Sequence, residues 1–332
     1  MTTHNGFFAV GQDTFIAACS LGMNPACALL VMACGTGKDN ATTRWSAEAV
    51  GNHVGVRWTT AKEAIEALCS AGLVAKGGKP ARPSYKLHKA GELIWLPKTL
   101  VEGAANETAP VAKLRQSQDP MALRLLVELY LSQNLREDGG VSTKITWKTF
   151  ERRQAGQHGS YLVWDFTNSK QWVSWTGPAL PHLMKNCKDG EKGRDFFQRF
   201  AVLLSLGLVE WVPYLYDGPK GEPMHPMAWQ MPIENELYDA ATQAAARMLG
   251  ESWAQSIEGI AVPVQKHIAE AALIGVARLK YRPHTALTSA WWVNHQATCA
   301  AFTEQYNALA APPKAVASPL TGLRNGSDNC PF

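Results

Sequence analysis

The heptad Leu68-Cys69-Ser70-Ala71-Gly72-Leu73-Val74 returns as Leu203-Leu204-Ser205-Leu206-Gly207-Leu208-Val209, with five of the seven positions identical. In each copy an apolar helical pattern runs into Gly, then into an apolar β-type run, then into a turn rich in Gly, Pro and Lys. Glycine reaches positive φ without the Cβ clash, so this order predicts a helix ending at a left-handed Gly and feeding a hairpin strand. The chain is thereby constrained to reverse at two equivalent points.

Upstream of the first copy the pattern is helical. Asp13 to Leu21 predicts a short helix, Asn24-Pro25 opens an apolar one closed by Gly35, and Ser46 caps a third over Ala47 to Val54. Thr60 with Glu63 forms a capping box for a fourth helix, on which Ala61, Ile65 and Leu68 share one face. Leu73 to Lys76 and Ser84 to Leu87 then predict a hairpin, and Glu92 to Pro97 an edge strand. The first unit spans 12–100, and 101–118 reads as a linker.

The second unit, 119–233, opens on Asp119-Pro120 and carries an aromatic-rich insertion over about 140–188. Within it, runs at Ser160 to Phe166 and Gln171 to Trp175, joined by Thr167-Asn168-Ser169-Lys170, predict an added hairpin. Segment 234–311 reads as helical over Glu236 to Leu249, Val264 to Leu279 and Thr288 to Leu309. The composition of 312–332 predicts a disordered tail. The expected fold class is therefore mainly α with small β-hairpin wings: two tandem winged-helix domains and a C-terminal helical segment.

Charge follows the same division. Arg57 to Lys98 holds eight Lys or Arg against three Glu, and Ser142 to Arg199 ten against five acidic residues, whereas Glu234 to Ala310 holds five against seven. Basic charge concentrated on the two units suits a phosphate-bearing partner, because each contact releases condensed counterions. The candidate DNA contacts are Arg57, Thr59, Thr60 and Lys62 at the start of the fourth helix, and Arg44 and Ser46 at the second-to-third turn. Lys76, Lys79, Arg82 and Lys86 lie on the hairpin, and Lys192 and Arg194 precede the equivalent helix of the second unit. The second unit is the weaker reader, since Phe197 falls where Lys62 stands.

Helix, turn, helix and basic hairpin, twice over, resembles the tandem winged helix-turn-helix replication initiators of plasmids and some phages. That resemblance rests on architecture and the repeated Gly-Leu-Val, and it implies double-stranded DNA as partner. The function expected is DNA binding in transcription regulation or mobile-element replication. A non-enzymatic interaction scaffold, or a subunit of a larger nucleoprotein assembly, stays open beside it. A homodimer or protein partner would use the second unit or the C-terminal helices.

Other chemistries find little support. Gly35-Thr36-Gly37-Lys38 lacks the leading Gly and the trailing Ser or Thr of a phosphate-binding loop. His182 and Cys187 lack partners at metal-ligand spacing, so neither metal nor cofactor is expected. The aromatic residues 161–175 would stack on unpaired bases or fill a core. No catalytic constellation stands out, and no enzyme is expected. The 7 cysteines sit singly, and no apolar run reaches membrane-spanning length, as in a reduced cytoplasmic protein.

Overall fold

The computed structural model describes residues 6–79, 82–104, 107–173, 194–250 and 253–311. The first half runs β1 (Phe7–Gly11), α1 (Gln12–Ser20), α2 (Met23–Cys34), β2 (Thr42–Thr43), α3 (Ala47–Val54), α4 (Trp58–Ser70), β3 (Val74–Lys79), β4 (Arg82–Leu87) and β5 (Leu93–Pro97). Every residue of α2 except Asn24 is buried, so this helix is the centre on which the others pack. Gly22, not Asn24, is its N-cap. α3 and α4 lay their apolar stripes (Val50 and Val54; Ala61, Ile65 and Leu68) into the same core. β2, β4 and β3 form a three-stranded antiparallel sheet in that order, and β5 pairs with the N-terminal β1 in a separate two-stranded one.

The predicted reversal is present in both copies. Gly72 has φ 71° and Gly207 φ 64°, and a Cβ on either would meet no atom within 4 Å. What glycine supplies there is backbone freedom alone. The expected capping box at Thr60 is absent: α4 begins three residues earlier, with Arg57 as N-cap and no side-chain cap bond. The stretch read as a linker carries α5 (Thr99–Glu102) and α6 (Pro110–Arg115), whose Leu100, Val101, Val111 and Leu114 are buried in the shared core.

The second half overturns the expected fold class. It runs α7 (Pro120–Leu129), β6 (Thr146–His158), β7 (Tyr161–Val173), α8 (Arg194–Ser205), β8 (Val209–Tyr216), β9 (Pro223–Pro226), α9 (Pro232–Leu249), α10 (Trp253–Ser256), β10 (Ile260–Gln265), β11 (Ala272–Leu279) and α11 (Ala286–Ala310). Its centre is a six-stranded antiparallel sheet in the order β10-β7-β6-β11-β8-β9. The chain is thus not mainly α with small wings, and its second half is not a second winged helix.

Two local misreadings lie behind that correction. Val264 to Leu279, expected as helix, is the end of β10, a turn and the whole of β11. Seven of the eight β11 residues are buried, so the strand shows no alternation and is easily taken for a buried helix. Pro263 is accommodated because β10 lies at the sheet edge. The second misreading concerns Thr167 to Lys170, which is not a turn. β7 runs straight through it, and the register changes from Thr149↔Lys170 to Glu151↔Thr167, so Phe150 faces Asn168 and Ser169 across a bulge with Asn168 at φ 47°. The reversal comes earlier, at Gly159-Ser160, between the paired His158 and Tyr161.

α9 and α11 pack on each other and cover part of the sheet, burying Leu237, Ala240, Ala241, Ala244, Cys299 and Tyr306 against Phe166, Leu215, Val262, Val264 and Leu273. Phe166, expected either to stack on bases or to fill a core, fills the core. Trp172 and Trp175 lie outside the described side chains, as does the predicted disordered tail.

Candidate nucleic-acid interface

Helix α4 buries one stripe and presents the other to solvent beside the β3–β4 hairpin. Between them lies a groove of ≈ 510 Å³ whose wall includes Ser46, Trp58, Lys62, Ile65, Lys76 and Tyr85. Strand register explains the contribution of the hairpin. Lys76 and Tyr85 are cross-strand partners and share a face, whereas Lys86 pairs with Ala75 and Thr42 and takes the other. By the same alternation Lys79 falls on the face opposite Lys76.

The structure therefore brings Ser46, Lys62 and Lys76 together on one groove. Arg44, Arg57, Thr59, Lys79 and Lys86 are exposed but do not line it, and Thr60 is half-buried on α4. Ser46 precedes α3 as its N-cap without making a side-chain cap bond, which leaves the hydroxyl available. The side chains of Arg82 and Arg194 lie outside the described residues, as do all of Lys192, His182 and Cys187. Arg194 itself opens α8, which buries Phe196, Phe200 and Leu203 in the core. Phe197 is half-buried there, with its ring edge-on to that of Phe196 at 5.4 Å between centroids.

One functional candidate escapes a charge-based reading. Trp58 is 57 % exposed at the first position of α4, and Lys62, one turn on, sits 5.5 Å from its ring centroid. Lys62 also lies 3.7 Å from Glu66, a pairing between exposed side chains that holds it only weakly. Helical spacing hides it, because Trp58 stands three residues before Ala61 and seven before Ile65 and so falls on the apolar stripe, yet at the first position of α4 it is exposed. A large exposed aromatic beside an exposed cation is suited to contact with a flat or apolar partner surface. Deeper in the groove, burial pushes the Cys69 thiol and the Tyr85 phenol up, so Cys69 is a protonated thiol without nucleophilic character.

Among the described residues, no group of three or more His, Cys, Asp or Glu could hold a metal ion, and no helix is long and apolar enough to cross a membrane. No family model and no curated protein matches the chain. Among solved structures, it aligns with one from Silicibacter sp. TM1040 assigned as an ICLR transcriptional regulator. That alignment covers 87% of this chain and 98% of the other at 11% identity, with a TM-score of 0.15. A TM-score at that level carries no argument about fold or function.

Proposed function

We propose that this protein binds double-stranded DNA through α4 and the β3–β4 hairpin, acting in transcription regulation or in replication of a mobile element. The observation that carries the reading is the groove itself, which gathers Lys62, Lys76, the Ser46 hydroxyl and the exposed Trp58 from three separate chain segments. Arg44, Arg57, Lys79 and Lys86 add further exposed cations to the same unit without lining the groove. Helix N-terminal residues beside a basic hairpin are the layout by which winged helix-turn-helix proteins place one helix in the major groove and the hairpin on the backbone.

Fluorescence anisotropy with a labelled duplex tests this directly. Wild-type affinity should fall linearly with salt on logarithmic axes, and Lys62→Ala with Lys76→Ala should make the slope shallower by roughly 0.9 per lost phosphate contact. A protein that binds no duplex even at low salt would overturn the proposal. Docking of another protein is the reading that would then take its place, since Trp58, Ile65, Cys69 and Tyr85 give the groove an apolar floor.

A further inference from the structure

A second cavity, of ≈ 590 Å³, opens where β8 and β11 meet the start of α11. Glu210, Arg278, Lys280, Arg282, Trp291 and Trp292 are on its wall. Sheet register and the following turn bring them together. Arg278 and Glu210 are cross-strand partners. The chain then turns through Pro283 into α11, returning Trp291 to within 3.9 Å of Arg282 and 5.9 Å of Arg278, measured from guanidinium carbon to ring centroid.

The charges here are buried and incompletely matched. Arg278, 2% exposed, donates from Nη1 to Oε1 of Glu234, and Nε2 of His295 lies 3.0 Å from the same oxygen. Its Nε and Nη2, the edge of the guanidinium fork that spans a carboxylate, have no partner among the described residues, and neither has the indole N–H of Trp291. Arg282 donates from Nη2 to the Gly139 carbonyl at 2.8 Å and forms no ion pair among the described residues. Burial and the neighbouring Arg278 push the Arg282 guanidinium down to about 9, and burial pushes the Glu210 carboxyl up. The Arg282 shift reports burial beside a like charge, while the Glu210 shift reports burial, against which Arg278, Arg282 and Lys280 pull the carboxyl back down.

We propose that this cavity binds a small organic acid, its carboxylate held by Arg282 and its flat apolar body lying against Trp292. Counting Arg278, Lys280 and Arg282 against Glu210 and Glu234 leaves one excess positive charge, which a monoanion neutralises and a dianionic phosphate overcompensates. The Nε and Nη2 atoms of Arg278 are sealed from solvent, so Arg282 makes the contact while Arg278 supplies field from behind. The volume exceeds what a bare ion needs and falls in the range of small-molecule sites. The Trp291 ring is already covered by Arg282 and His295, so the half-buried indole of Trp292 beside the Arg282 guanidinium is what favours an aromatic body through stacking.

Calorimetric titration of the full chain with 1-naphthaleneacetate and its neutral isostere 1-naphthaleneacetamide is the test. The acid should bind at least about tenfold more tightly than the amide, and Arg282→Gln should remove that preference while leaving amide binding in place. Ser289→Phe, an exposed position on the cavity wall, should block both ligands. Equal binding of acid and amide, no binding of either, or an Arg282→Gln protein that keeps the preference would overturn the proposal. Should Arg282→Gln not fold, unchanged acid affinity in Ser289→Phe would overturn it equally.

Discussion

His225 makes the stability of this protein depend on pH in a direction that can be worked out from its contacts. The ring is 0% exposed, with Nδ1 3.1 Å from the Pro226 carbonyl and Nε2 2.9 Å from the Tyr306 hydroxyl. A neutral ring satisfies both: Nδ1–H donates to the carbonyl, and bare Nε2 accepts from Tyr306. Protonation sets a second N–H against that hydroxyl and forces Tyr306 to donate instead to the Pro263 carbonyl 3.3 Å away. Burial accordingly holds the imidazole down to about 4, from an ordinary 6.5. The unfolded chain takes up this proton near 6.5 and the native state only near 4, so the contribution is fully present above 6.5 and is lost as pH falls between them. The full shift corresponds to about 3 kcal/mol, of which about 2 kcal/mol is lost by about pH 5. Urea unfolding of wild type and His225→Gln at about pH 7.5 and about pH 5 measures it. Asp138, whose carboxyl is pushed up by burial, and Glu234, whose carboxyl is held down by hydrogen bonds and Arg278, cancel in the difference between the two proteins. The stability advantage of wild type over the variant should shrink by about 2 kcal/mol on going to the lower pH. A difference independent of pH would refute the reasoning.

Two further outcomes follow from geometry. Gly72→Val and Gly207→Val should each lower stability by about 1–2 kcal/mol or more, because the cost is the left-handed backbone and not a clash. Unchanged urea midpoints would remove the structural meaning of the repeat. Glu234→Leu should cost about 3–5 kcal/mol in the same assay by leaving the buried Arg278 guanidinium without its counter-charge, and a loss below about 1 kcal/mol would show that the pair is not what neutralises that site.

The first unit was legible because α2 is apolar nearly all round while α3 and α4 each carry one apolar stripe and end at a glycine turn. Ala61, Ile65 and Leu68 mark the buried side of α4, and Gly72 marks its end. The second half was not, for reasons that recur in its strands. β11 is covered on both sides, so the period of two that identifies a strand is invisible in Ala272–Leu279. β7 contains turn-forming residues because a bulge needs the same left-handed backbone as a turn, and Asn168 supplies it in either setting. Of the groove, Ser46, Lys62 and Lys76 could be found from charge and position, but alternation in the hairpin decides that Lys76 and not Lys86 faces it, and that depends on register. The second cavity was hidden altogether. Arg278 ends a strand and Arg282 lies in the turn after it, while Glu234, Trp291 and His295 sit on two helices, and a contact between Arg278 and Glu234, 44 residues apart, leaves no mark in local sequence.

The groove and the cavity are joined by one packed body. Ala61, Ile65 and Leu68 of α4 belong to the same buried cluster as Leu203 of α8, Leu208 and Val209 at the start of β8, and Ala277 and Leu279 at the end of β11. Leu279 is also cavity wall, and Ile65 is groove wall. A core packed at this density has discrete arrangements rather than a continuous range, so an effect of one site on the other requires an element with two alternative positions. The segment from α8 through Gly207 into β8 is placed for that, since it touches α7 and the first-unit core on one side and carries the strand bearing Glu210 on the other. Any such coupling must be reciprocal: an acid that weakens duplex binding by some factor is itself bound more weakly, by that factor, when duplex is present. A loss of acid affinity that levels off at saturating duplex is what would distinguish coupling through this core from an acid competing for the groove with Lys62 and Lys76, where saturating duplex would exclude the acid altogether.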